Sequence, residues 1–571
     1  MTEEEKSVLL SEVNLEEMDN LLKVFSHLNR LSGEQEAEQA AQFILNKLDA
    51  YGILYEKQRC DLYVSNPIFG ELSIIESDEC IQAKTRSFSA HCPDGRKGTL
   101  LYDPYSKSKE TLTPMEEKKW YTSVKDKIVV SWNGYEDYVK KVEKYGAMGV
   151  VHIWPSSEPV IHEETVGPIW GAPSLETIHD LPVLPVIGIG HAEGLALLEK
   201  MEQGMVSARI KTRVETKCVQ ATLPIAHIPG RSTDYVLLSS HYDSWHEGMT
   251  DNAVGNALCL EVARILSLHT QRLERGLKVA WWPGHSNARY GGSTWYCDHN
   301  WQDLQEHCVA HINVDSPGSK GGDALLVNRS GVEDVGFIDE VIRSVTGQSP
   351  KGYSYLKKGA DQSFWGVDIP VHIALKNVPS ADIARYHSPG SGGGWWWHTE
   401  EDTYDKVDHA LLLRDTQIHL LLVERLLSLS CLPLELNDHL KNMKQVIAAL
   451  DASSDSDLSF QSVFSSLEAL TEAIKQLGSQ KDDGDKACLQ QIGGHLNQLI
   501  YSYSDPYRFD IAYMSGPFPG FQVVKQIYRE TTPETQYLFI KTFFVRQCNR
   551  WVNEVKRMIE QFKDDCELKD A

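Results

Sequence analysis

Apolar residues recur at helical spacing in two stretches near the start of the chain. Leu21, Leu22, Phe25, Leu28 and Leu31 form the first and Ala40, Phe43, Ile44, Leu48 and Tyr51 the second, with Ser32-Gly33-Glu34 between them. The pattern predicts a helical hairpin over residues 14–51. Alternating stretches such as Leu62-Tyr63-Val64 and Leu72-Ser73-Ile74-Ile75 then predict strands, and Gly95, Gly98 and Pro104 mark a change of texture with a boundary near 95. From 96 to 216 the pattern is of short strands (127–130, 149–153, 183–189) with helices over 138–145 and up to Gly204. From 217 to 432, apolar strands at 235–240, 277–282, 309–314 and 369–375 alternate with helical segments, the signature of a mainly parallel sheet with helices on both faces. Beyond 433 the chain turns helical, with periodic stretches at 441–477, 487–503 and 536–562 and a polar break at 481–485.

The expected fold class is therefore α/β, a mixed, mainly parallel sheet covered on both faces, joined by a β-rich insert and a helical C-terminal domain. The expected parts are 1–95, the N-terminal portion of the catalytic domain; 96–216, the insert; 217–432, the catalytic domain; and 433–571, the helical domain, a candidate homodimer seam. The insert, with its run DKIVV…YVKKVEKYGAMGVVHIW, resembles the protease-associated domain, which implies a lid or wall beside a neighbouring active site.

Composition narrows the function. With 56 Lys+Arg against 80 Asp+Glu the formal charge is -24, which repels phosphate backbones and anionic lipid, so no nucleic-acid or membrane partner is expected. The 11 cysteines form no CxxC pair, which reads as reduced thiols. MTEEEKSVLL has no basic n-region or apolar core, and no long apolar run follows; a cytoplasmic location is the expectation.

Candidate chemistry clusters at strand ends, where open α/β sheets hold ligands. His241 ends the first sheet strand in SSHYDS, and Asp251 opens the next helix. Asp315 follows the third strand, and His398 follows Trp395-Trp396-Trp397. Neutral imidazole nitrogen and carboxylate oxygen both suit zinc, so a His at a strand end and an Asp at a helix start can converge on one cation. Trp281 and Trp282 with Trp395–Trp397 suggest an aromatic-walled pocket.

These motifs resemble the co-catalytic zinc aminopeptidase family, which includes glutamate carboxypeptidase II, and the order of parts extends the likeness over nearly the whole chain. The resemblance implies that His241 and Asp315 bind one metal, that Asp251 bridges, and that His398 binds a second. It implies that Asp243 is the carboxylate orienting His241, and that Asp361 lies in a structural loop before a late strand. Zinc, as one or two ions, is the implied cofactor; iron, manganese and cobalt suit the same donors.

The resemblance breaks at one place. Family members carry two adjacent glutamates after the second strand, a general base and a ligand, whereas this chain reads Trp282-Pro283-Gly284-His285-Ser286-Asn287. Three readings stay open. In a hydrolase of small peptides or amide-containing metabolites, His285 serves as base or ligand, with Ser286 or Asn287 near the second metal. In a mononuclear site, the enzyme performs lyase or cyclising chemistry on a small molecule. In a scaffold, there is no catalysis. Glu247 is a candidate replacement carboxylate or a solvated loop residue, and Arg289 with Tyr290 either meets a substrate carboxylate or makes structural contacts.

Overall fold

The computed structural model describes residues 2–107, 114–322, 324–380, 393–477, 483–511, 516–527, 529 and 532–567. Its strands are β1 (Leu54–Ile74), β2 (Cys80–Thr85), β3 (Cys92–Tyr102), β4 (Lys127–Ser131), β5 (Gly149–Ile153), β6 (Val186–Ile189), β7 (Ser207–Ile228), β8 (Tyr235–His241), β9 (Gly276–Trp282), β10 (Cys308–Asn313), β11 (Ala324–Arg329), β12 (Gly352–Tyr355) and β13 (Val371–Val378). They join in the order β1-β2-β6-β5-β4-β3-β7-β9-β8-β10-β13-β11-β12, and β1 also pairs with β7.

That last pairing divides the sheet. β1 and β7 run antiparallel from Leu54 opposite His227 to Ile74 opposite Ala208, with an irregularity at Pro67/Phe69. Through it β1, β2, β6, β5, β4, β3 and β7 close into a ring, which removes open edges from the insert. Leu72, Ile128, Val151, Ile187 and Ile210 fill its core. The expected boundary at 95 falls inside β3, which pairs with β7 and β4, so the backbone passes from one part to the other without a linker.

On the other side, β9, β8, β10 and β13 are parallel neighbours. Every residue of β8 is buried, as expected of a central parallel strand covered on both faces. Alternation sends Val236 and Leu238 to one core, with the helices Leu15–Phe25, Gln35–Tyr51, Val254–Ser267 and His409–Ser428. Tyr235 and Leu237 face a second core with Trp282, Tyr296 and Phe364. The predicted hairpin is present, preceded by an unforeseen helix Glu3–Ser11. In the C-terminal part the helices are Leu436–Ala452, Gln461–Leu477, Asp483–Tyr501 and Glu534–Glu567, packed around their own core. The predicted polar break at 481–485 begins outside the described residues. No helix among the described residues is long and apolar enough to cross a membrane, and the cysteines described are free thiols.

One buried cation braces the loop after β8. Arg30 is fully buried; its guanidinium donates to the carbonyls of Tyr242 at 2.8 Å, Glu247 at 2.5 Å, Gly248 at 3.0 Å and Phe25 at 3.3 Å. Burial brings its pKa down to about 10. Replacing it with a side chain of similar length and no donors strands these acceptors. Arg30→Met is expected to cost about 3 kcal/mol, read as a lowered melting temperature together with faster amide exchange in 242–250. Unchanged melting and exchange would contradict this role.

Candidate metal centre

The site is built where β8 and β10 end. His241 is the last residue of β8, Asp315 follows β10 by two, and Asp251 sits in the turn Met249–Ala253 that leads into the helix Val254–Ser267. Asn252 ties these segments together. Its amide donates to Ser240 Oγ at 3.1 Å and to the Val314 carbonyl at 2.9 Å, and its oxygen accepts from the backbone N–H of Gly255 and Ser316. Asp402 holds the turn from the far side, accepting from Thr250 N–H and hydroxyl and from Asp251 N–H at 2.8–3.1 Å. Burial and the adjacent Asp251 charge push Asp402 up to about 7 against these donors. Asn252 and Asp402 were not singled out in the sequence, because an amide and a carboxylate that serve backbone atoms leave no spacing signature.

The four expected ligands converge. His241 donates from Nδ1 to the Asp243 carbonyl at 2.9 Å, which leaves the lone pair on Nε2, 3.0 Å from Asp251 Oδ1 and 3.7 Å from Asp315 Oδ1. His398 donates from Nδ1 to the Glu163 carbonyl at 3.0 Å and turns Nε2 to Asp251 Oδ2 at 3.1 Å. Asp251 thus presents one oxygen to each imidazole. His241 Nε2 and Asp251 Oδ1 are buried and lack a hydrogen-bond partner of acceptable geometry. Burial disfavours charge on His241, yet Asp243, Asp251 and Asp315 together hold its pKa well above the usual range; Asp251, although buried, is held well below its own by both imidazoles. Facing lone pairs from nitrogen and carboxylate oxygen are a donor set for a divalent cation, so the residues present fit zinc.

At the broken motif the structure chooses among the candidates. Asn287 donates to the Ser32 carbonyl at 3.0 Å and to Asn66 Oδ1 at 2.7 Å, directing its amide into the protein. His285 stacks on His241 with ring centres 3.8 Å apart, and one donor atom each from His241, His285 and Asp315 lie within 4.8 Å of one another. Its Nδ1 lies 2.8 Å from Asp361 Oδ2. The implied structural role of Asp361 is therefore incomplete, since this fully buried carboxylate orients His285. Asp243 orients His241 through its carbonyl at 2.9 Å, with its carboxylate Oδ1 3.6 Å from the same Nδ1, and that carboxylate also accepts from the N–H of His285 at 3.1 Å and Ser286 at 3.0 Å.

The expected substrate contacts divide. Tyr290 is buried with its ring centre 5.1 Å from that of His285, so it lines the site. Arg289 is buried in an ion pair with Glu136 of the insert, which corrects its expected substrate role. Glu247 is also corrected: it contributes its carbonyl to Arg30, and its carboxylate senses His27 and Arg30, not the metal ligands. Trp281, Trp282 and Trp396 are core residues, and Trp397 stacks on His398 at 3.4 Å, so the aromatic wall reduces to Trp397 and its neighbours.

The insert contributes directly. Glu163 accepts from His398 Nδ1, and its own N–H donates to the His398 carbonyl at 2.7 Å. Glu164 next to it is buried and lies within electrostatic reach of His398 and of the buried Arg86 and Arg289. A second acidic group, Glu163, His246 and Glu400, surrounds Lys84, whose ammonium lies 3.0 Å from Glu163 and 2.6 Å from Glu400. A lysine already neutralises that cluster.

Fold and site together define a metallopeptidase-type α/β domain. Residues 225–423, which span this α/β domain, match the model of Peptidase family M28. The aminopeptidase NAALADL1 of Mus musculus is 24% identical over 333 residues, 53% of this chain and 43% of that protein. The probable glutamate carboxypeptidase VP8 of Zea mays is 27% identical over 240 residues, 38% and 32% of the two chains. The chain thus spans less than half the length of these curated relatives. Among solved structures, a peptidase M28 precursor from Shewanella amazonensis superposes with TM-score 0.59 at 15% identity, over 76% of this chain and 98% of that one. An aminopeptidase from Aneurinibacillus sp. strain AM-1 gives 0.55 at 21%, over 74% and 95%. Both likenesses bear on the fold.

The Arg289–Glu136 pair is open to direct test. Burial raises Glu136 to about 7 even with Arg289 beside it. Arg289→Met leaves that carboxylate buried and unpaired and is expected to cost about 3–5 kcal/mol, whereas Arg289→Met/Glu136→Leu recovers most of the loss. A stable single variant with raised KM would instead place the guanidinium on substrate.

Proposed function

We propose that the protein is a metal-dependent hydrolase that cleaves an amide bond in small peptides or amide-containing metabolites, with His285 in place of the missing glutamate base. The observation that carries this is the Asp361–His285 pair at 2.8 Å, stacked on His241 beside the converged ligand set. His241, Asp251 and Asp315 would hold one ion, and Asp251 with His398 a second. When bound, zinc supplies Lewis-acid polarisation of a carbonyl and acidifies water.

The chain's own residues do the rest. Asp361 Oδ2 accepts the N–H at His285 Nδ1, which leaves Nε2 as the basic atom of the ring. His285 Nε2 takes a proton from the attacking water as the oxygen bonds to the substrate carbonyl carbon. It returns the proton to the departing nitrogen when the carbon–nitrogen bond breaks, giving a carboxylate and an amine. Trp397, packed on His398, and Tyr290, packed on His285, keep the two imidazoles in place and limit water around them.

The same geometry favours one variant of this reading, in which His285 Nε2 is itself a ligand, because its donor atom shares the 4.8 Å cluster with His241 and Asp315. The non-catalytic reading is disfavoured, since a scaffold gains nothing from burying two imidazoles that both face the Asp251 carboxylate.

A panel of short peptides assayed with His285→Ala tests the assignment. Turnover is expected to fall by about 10²–10⁴ with KM and bound metal per chain unchanged. Loss of one metal equivalent would make His285 a ligand; retention of full turnover would remove it from the chemistry.

A further inference from the structure

Asp361 reaches beyond His285. Its second oxygen, Oδ1, accepts from Ser293 Oγ at 2.9 Å; Ser293 Oγ lies 2.8 Å from Ser363 Oγ; and Ser363 Oγ accepts the indole N–H of Trp170 at 2.8 Å. Each of these four residues is at most 4% exposed. They come from three places: Trp170 from the connection between β5 and β6 of the insert, Ser293 from the helix Gly291–His299 after the His285 loop, and Asp361 and Ser363 from the loop before β13.

Counting protons gives the chain a direction. An indole nitrogen only donates, so Ser363 Oγ receives its proton from Trp170 and must place its own elsewhere. Thr294 Oγ1, 3.2 Å away, donates to the Tyr290 carbonyl at 2.8 Å, and the shorter contact to Ser293 is the natural acceptor. Ser293 has two acceptors, Asp361 Oδ1 at 2.9 Å and the Tyr290 carbonyl at 3.2 Å, and the shorter contact directs its proton to Asp361, whose other oxygen takes the N–H of His285 Nδ1. The short contacts line up toward Asp361, and with Oδ1 serving Ser293 its Oδ2 is left to the N–H of His285. Trp170 also packs on Tyr290 at 4.9 Å, and Tyr290 on His285 at 5.1 Å, so the insert meets the imidazole by a second route through packing alone.

The geometry points to Trp170 as a positioning residue for His285: the indole N–H of the insert heads a one-way donor chain, Trp170–Ser363–Ser293–Asp361, that fixes the orientation and tautomer of the imidazole beside the metal ligands. It rests on the role given to His285 above. The insert is then part of the catalytic apparatus, since withdrawing Trp170 frees Ser363 to rotate and leaves Ser293 and Asp361 without a fixed donor order. Networks of this kind act as a unit, and removing one outer member typically costs 10–100-fold.

Trp170→Phe keeps the ring and its packing and removes only the N–H; Ser363→Ala interrupts the next step. Each is expected to lower kcat about tenfold with KM and metal content unchanged. The double variant should fall no further than the worse single, and Trp170→Phe should change residual turnover less than twofold in a His285→Ala background. A multiplicative loss in the double variant, or an equal loss from Trp170→Phe in both backgrounds, would mean packing only and would overturn the proposal. If His285→Ala itself retains full turnover, the reading of His285 fails first, and separately. An activity-free readout is the downfield proton resonance of His285 Nδ1–H, assigned by its absence in His285→Ala. It should shift or broaden in Trp170→Phe and Ser363→Ala at unchanged melting temperature, and an unmoved resonance in both variants would also overturn the proposal.

Discussion

Asp251 turns one carboxylate oxygen to His241 at 3.0 Å and the other to His398 at 3.1 Å, and both imidazoles donate their Nδ1 protons to main-chain carbonyls. The two Nε2 lone pairs therefore point at oxygen lone pairs inside the protein. Such an arrangement is costly without positive charge between the partners, whether protons on the imidazoles or metal ions. Much of the surrounding structure keeps those atoms from relaxing apart. Asn252 pins the ends of β8 and β10, Asp402 grips the Asp251 turn, Arg30 braces the loop after His241, and Glu163 clasps His398 from the insert.

The clasp by Glu163 and the indole of Trp170 make the insert a wall of the site. The long β1–β7 ribbon explains how this is possible: both strands run from the α/β sheet into the closed ring without a break, so the ring is held against the sheet along their length. The Arg289–Glu136 pair adds a buried contact between the same two parts. The α/β part carries His241, Asp251, Asp315 and His398, and the insert clasps the last of these through Glu163.

Much of this was legible in the sequence. The strands at 149–153, 235–241 and 276–282 show as short apolar runs, and His241 and Asp315 at strand ends meet Asp251 before a helix and His398 after the tryptophan run. The choice at the altered motif was not legible, because His285, Ser286 and Asn287 are adjacent and only the backbone path decides which one faces His241. Asp361 escaped for a related reason: its partner lies 76 residues away. The choice for Arg289 between a substrate contact and a structural one stayed open because its partner, Glu136, belongs to another part of the chain. Residues whose work is done across long sequence separations leave little local pattern.

Anomalous diffraction at the zinc edge, from crystals of protein prepared with zinc and without chelator, tests the converged site most directly. The account predicts one peak between His241 Nε2 and Asp315 and another between Asp251 and His398. Absence of a peak at either position in zinc-saturated crystals, or a peak confined to the Glu163–His246–Glu400 cluster, would contradict it.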